Sequence, residues 1–185
     1  MAKITRYIDT NTTDYSVIQY TFDMYTKANC LLKYYSPNKD IFEANEIVSG
    51  IYLGNINSAY DFDKLKSLGI THVISVIGGF IPPYPDDFNY LVINALDTQN
   101  TNLFDKFETS NDFIDDVIMD NSKILIHCQM GRSRSVTILA AYMIKNFGFD
   151  VDTTLNLIKN KRSIIEPNKY FVTQLTRYYN EMFNP

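Results

Sequence analysis

Two apolar runs separated by a short polar loop constrain this chain more than any other segment. Ile124-Leu125-Ile126 is short enough for a buried strand, and Val136 to Ile144 is long and apolar enough for a buried helix. Between them lies His127-Cys128-Gln129-Met130-Gly131-Arg132-Ser133-Arg134-Ser135. This strand, tight loop and helix form one unit of a longer alternation. A hairpin is predicted near 46–54, a helix near 58–68, and strands near 71–77 and 89–95. Helices are predicted near 103–119, 151–161 and 168–182. Gly78-Gly79 and Pro82, Pro83 and Pro85 mark a loop between the two strands. The alternation predicts an α/β fold, a single three-layer domain over residues 45–185. Its central sheet should be mostly parallel, have about five strands, and be flanked by helices. Residues 1–44 form an N-terminal extension. In it Val17, Ile18, Met24, Ala28, Leu31 and Tyr35 recur at loosely helical spacing, up to Ser36-Pro37-Asn38. That helix is expected to pack on the domain or to contact a partner or a second copy, leaving monomer or homodimer open.

The polar loop has the composition of an anion site. A helix N-terminus leaves backbone N–H groups without intrahelical partners, and the macrodipole favours negative charge there. Residues Gln129, Met130, Gly131, Arg132, Ser133 and Arg134 would add their own amides as a nest around the same centre. Gly131 permits a positive φ or a close backbone approach. Arg134 supplies a planar fork for two phosphate oxygens. A cysteine in such a field is expected as a thiolate, since helix N-termini and cations bring thiol pKa values to roughly 3.5–7.5. A lone cysteine is more often a small buried hydrophobe. The flanking His, Gly, Arg and Ser argue against that reading for Cys128. The loop alone leaves open a phosphatase, a phosphate-binding module and a sulfur-handling enzyme.

His127-Cys128 followed by five residues and Arg134-Ser135 resembles the signature of cysteine-based protein tyrosine phosphatases. The form Cys-x-x-Gly-x-Ser-Arg-Ser resembles the dual-specificity branch. Ser49 to Asn55 is similar to the opening hairpin of that domain, and Leu68 to Val76 to its next strand, with Ser75 where Asn is usual. Ala141 to Ile144 resembles the helix after the loop, and Pro167-Asn168 with Phe171 and Gln174-Leu175 the start of the last helix. The resemblance covers roughly residues 45–182.

The resemblance implies a catalytic set of Cys128, Arg134, Asp97 and Ser135. Asp97 follows the apolar segment Tyr90 to Leu96, and strand ends are where open α/β sheets gather ligands. It matches the family's general acid; Asp86 and Asp87, in a turn after the prolines, are weaker candidates. Ser135 would hydrogen-bond the thiolate, His127 would tune the cysteine and hold the loop, and Asn102 would orient the acid loop. The family pattern gives the phosphate fork to Arg134 and leaves Arg132 as a rim charge. The implied activity is hydrolysis of phosphotyrosine and phosphoserine or phosphothreonine through a phosphocysteine, with no metal and no cofactor. Non-protein phosphates (phosphoinositide, RNA 5′-phosphate, glucan) and an idle phosphate-binding module remain as alternatives. Arsenate-reductase-like and rhodanese-like chemistry fit less well, given Ser133-Arg134-Ser135 and Asp97.

Charge and cysteine content narrow the partners. The formal net charge of −4 disfavours a nucleic-acid surface. A phosphoprotein substrate is expected, with no nucleic acid and no membrane. Cys30 and Cys128 are the two cysteines, too few for a disulfide framework, which points to a reducing, cytoplasmic setting with nuclear access. Redox pairing of Cys30 with Cys128 is a weaker reading. No apolar run reaches the roughly 18–20 residues of a membrane span, and no secretory pattern is visible. His72, His127 and two cysteines do not form a zinc spacing. His72 is expected to be structural.

Overall fold

Strands β4 (Ile70–Val76), β5 (Asn89–Asn94) and β6 (Lys123–His127) form the centre of the molecule. Val73, Ile74, Ser75 and Val76 are buried one after another, as are Ile124, Leu125, Ile126 and His127. Consecutive burial means that both faces of the sheet are covered, the usual state of parallel strands. The computed structural model describes residues 3–9 and 42–184. The helix expected between Asp14 and Tyr35, and Cys30 within it, lie outside the described residues.

The sheet has six strands in the order β1-β5-β4-β6-β3-β2. Strands β1 (Thr5–Asp9) and β3 (Ile51–Gly54) pair parallel with β5 and β6, while β2 (Ala44–Val48) closes an antiparallel hairpin with β3. The sixth strand, β1, comes from the N-terminal segment read as part of a helical extension. Its Tyr7 is 62% exposed and Ile8 only partly buried. It joins the sheet by main-chain pairing, Thr5 opposite Tyr90 through Asp9 opposite Asn94. Pairing of that kind leaves no apolar run for a sequence pattern to detect.

The helices are α1 (Ile56–Ala59), α2 (Phe62–Ser67), α3 (Phe107–Met119), α4 (Arg134–Phe147), α5 (Val151–Lys161) and α6 (Lys169–Phe183). The element predicted near 58–68 is two helices because Asp61 caps the second, accepting from the Lys64 amide at 3.1 Å. Every residue of α4 from Arg134 to Ile144 is buried, and this helix packs against α3, α5 and α6. Each fully buried Ile or Leu there contributes about 1.5–3 kcal/mol from its apolar surface. Because β4, β5 and β6 are parallel, the segments after Val76, Asn94 and His127 all start at one edge of the sheet.

Candidate active site

The end of β6 delivers Cys128 into a loop whose carbonyls all face away from its centre. Gln129 O accepts from the Ile56 amide at 3.2 Å, and Arg132 O from the Glu166 amide at 2.8 Å. Met130 O and Gly131 O accept from Arg162, at 3.4 and 2.9 Å. Ser133 O accepts from both the amide and the hydroxyl of Thr137, each at 2.9 Å. Five consecutive carbonyls are thus engaged outward, which turns the N–H side of the loop inward as a nest. Gly131 makes the curl. Its φ is +65°, and a Cβ there would lie 2.4 Å from Gly54 O. Ser133 is the residue before α4 and makes no side-chain cap, so the helix amides open onto the same space.

Cys128 Sγ accepts from the Gly131 amide and from the Ser135 hydroxyl, both at 3.2 Å. Burial pushes this thiol up, but the Arg134 charge, the Ser135 hydroxyl and the Ser135 and Arg132 amides outweigh it. The net result lies below the ordinary thiol value. The shift enlarges the share of the nucleophilic thiolate. His127 is fully buried, and burial, with Arg134 nearby, brings its pKa down to about 3 against the pull of a Cys128 backbone bond. A neutral imidazole follows. Its Nε2 lies 2.7 Å from Ser75 Oγ on the neighbouring strand, where Ser75 is in register with His127. The sequence departure at Ser75 therefore places a short hydroxyl against this ring, which Phe80 also meets edge-on at 5.0 Å.

Asp97 stands over the loop, three residues past β5. Its Oδ1 accepts from Ser133 Oγ at 3.0 Å and Asn168 Nδ2 at 3.3 Å, and its Oδ2 lies 3.4 Å from Arg134 Nε. Arg134 is 8% exposed and donates through Nη1 to Ala95 O at 3.0 Å. Its buried Nε makes no hydrogen bond among the described residues, a donor suited to an incoming anion. Asp97, Cys128, Met130, Arg134, Glu166 and Asn168 share a pocket of about 250 Å³. Asn102 does not join them. It bonds Asp105, donating at 2.7 Å and accepting from the Asp105 amide at 3.4 Å, and so shapes the turn Phe104–Lys106. The acid loop is oriented instead by Asn168 and by Ser133. His72 bonds Thr71 and Asn89, at 2.8 and 2.9 Å. No cluster of three metal-ligating side chains occurs among the described residues.

Arg162 was not singled out in the sequence, and Asn168 only within the start of the last helix. There it caps that helix, accepting from the Tyr170 amide at 2.8 Å. Nothing local signals that they reach the loop and Asp97.

Strand, anion-binding loop and buried helix in this arrangement are those of the cysteine-based phosphatases. The model of the dual specificity phosphatase catalytic domain matches residues 51–181. Dual specificity protein phosphatase 1B of Arabidopsis thaliana is 40% identical over 136 residues, which are 74% of this chain and 81% of the relative. The human tyrosine phosphatase-like serine/threonine/tyrosine-interacting protein superposes with a TM-score of 0.74 at 30% identity, over 77% of this chain and 99% of that one. The structure of DUSP15 gives 0.72 at 32% identity, over 75% and 88%. The chain belongs to the dual-specificity phosphatase family.

Proposed function

We propose that this chain hydrolyses phosphotyrosine and phosphoserine or phosphothreonine in proteins through a phosphocysteine on Cys128. The observation that carries the reading is the Sγ of Cys128, held at 3.2 Å by Gly131 and Ser135 in the pocket that Arg134 and Asp97 also line. The loop amides and Arg134 bind the phosphate oxygens. The thiolate attacks phosphorus, the bond to the substrate oxygen breaks, and Asp97 gives that oxygen its proton. Water then attacks the phosphocysteine while Asp97 takes back a proton. The thiolate departs, stabilised by the Ser135 hydroxyl, and inorganic phosphate is released. A protein substrate is supported by the family and by the Arabidopsis relative's name. An oxidisable thiolate also favours a reducing compartment.

The test is release of p-nitrophenol and of phosphate from phosphotyrosyl and phosphothreonyl peptides. Cys128→Ser is expected to abolish turnover yet still capture phosphopeptide. Wild-type rates in that variant would refute the mechanism, and an inert wild-type protein would make the site a binding module.

A further inference from the structure

Arg132 is the second arginine of the pocket, and it is already engaged. Its Nε donates to Ile164 O at 3.0 Å, its Nη2 pairs with the Glu166 carboxylate, and the Glu166 amide donates back to Arg132 O at 2.8 Å. Arg134 faces Asp97, with Nε 3.4 Å from Oδ2 and still open to a phosphate oxygen. The lining thus holds two guanidinium groups and two carboxylates, with the Cys128 thiolate below them. The two pairs differ in depth. Arg134 is 8% exposed, whereas the side chains of Arg132 and Glu166 are 44% and 76% exposed. A phosphoryl group entering the pocket meets Arg134. The residues on either side of it in the substrate meet the outer pair, where the carboxylate is the more accessible member.

We infer that Glu166 sets the charge preference of the pocket mouth, holding Arg132 so that phosphosubstrates with neutral or basic neighbours are favoured over those with acidic ones. The inference rests on the phosphatase reading above. An exposed ion pair contributes little to stability. Its effect here is on what the substrate meets, because complementary charge steers and like charge opposes docking. With Glu166 in place, an acidic neighbour meets an Arg132 that is already paired and faces a carboxylate. With Glu166 neutralised, Arg132 becomes available to that same neighbour.

Three phosphotyrosyl peptides, identical except for Glu, Ala or Lys on both sides of the phosphoresidue, test this. The wild type is expected to prefer the Lys peptide over the Glu peptide by about 3- to 10-fold in kcat/KM, chiefly through KM, the scale of exposed charge contacts. Glu166→Gln should shrink or invert that ratio, and Arg132→Gln should enlarge it. The wild-type ratio should also move toward unity as salt rises from about 0.05 to 0.5 M, where the Debye length shortens from over 10 Å to a few ångströms. A thermal unfolding scan reports whether each variant is folded. A flat wild-type ratio, a ratio untouched by Glu166→Gln, or one insensitive to salt would overturn the inference. Failure of the wild type on p-nitrophenyl phosphate would instead overturn the phosphatase reading.

Discussion

Replacing Arg162 by methionine removes the brace behind the anion loop while keeping much of the side-chain volume. Arg162 is 3% exposed and reaches four places. Nε donates to Gly131 O at 2.9 Å and Nη2 to Met130 O at 3.4 Å, while Nη1 donates to Asn45 Oδ1 at 2.8 Å and to Glu43 O at 3.3 Å. A fifth contact, 3.8 Å from Glu43 Oε1, is with a carboxylate 45% exposed and so contributes little. Methionine leaves Gly131 O and Asn45 Oδ1 without their strongest donor. Gly131 is buried, and its carbonyl left unsatisfied costs about 1–3 kcal/mol, whereas Asn45 is exposed and can turn to water, so its bond and the longer ones to Met130 and Glu43 add less. The total is about 2–4 kcal/mol. At about 2–4 °C per kcal/mol for a chain of this size, Tm should fall by about 5–15 °C in a thermal scan. Activity should fall further than stability explains, because the freed Gly131 and Met130 carbonyls let the loop amides turn. A misplacement of about 1 Å costs on the order of 10²-fold. That loss is expected in kcat/KM on p-nitrophenyl phosphate, measured well below the new Tm. Arg162→Lys, with one point donor instead of a fork, should fall between. A methionine variant with Tm within about 2 °C of wild type and kcat/KM within about threefold would refute the reasoning, since these thresholds lie far below the expected losses.

Three further outcomes follow from the site. Asp97→Asn should lower kcat by about 10²–10⁴-fold with little change in KM, and more severely for an alkyl phosphate than for p-nitrophenyl phosphate, whose leaving group needs no proton. Gly131→Ala places a Cβ 2.4 Å from Gly54 O on a backbone with φ +65°. The loop must then open, and inhibition by inorganic phosphate should weaken by at least about tenfold, a change of 1.4 kcal/mol. His127 makes stability depend on pH. Its pKa is about 3 folded, lowered by burial, against 6.5 ordinarily. Between these values the unfolded chain binds more protons, so stability is full above pH 6.5 and is lost as pH falls toward 3. Urea unfolding should show a loss of about 2 kcal/mol from this residue between pH 7.5 and 5, and His127→Gln should remove that component.

Much of the site was readable because its signals are local. The run Ile124 to Ile126, the polar loop and the helix from Arg134 stand within one stretch of sequence, and Gly131 sits where the chain adopts φ +65°. Asp97 was placed by the strand before it. Its partners were not, because Ser133 and Asn168 lie 36 and 71 residues away along the chain. Asn102 was expected to orient the acid loop and bonds Asp105, since an Asn at a turn has a close partner three residues on. Strand β1 was missed for a related reason. Its bonds run from main chain to main chain, as in the Tyr90 amide to Ile4 O at 2.8 Å, and carry no side-chain pattern.

The amino-acid sequence by itself determined the alternation of strands and helices and the places of the cysteine, the glycine and the arginines of the loop. These depend on residue type and spacing within a few turns of chain. Only the tertiary structure decided which polar atoms secure that loop. Arg162, itself buried, reaches Gly131 over 31 residues. Once burial removes water from a carbonyl or a guanidinium, it must pair with whatever donor or acceptor the packing of β2, β6, α4 and α5 brings within 3 Å.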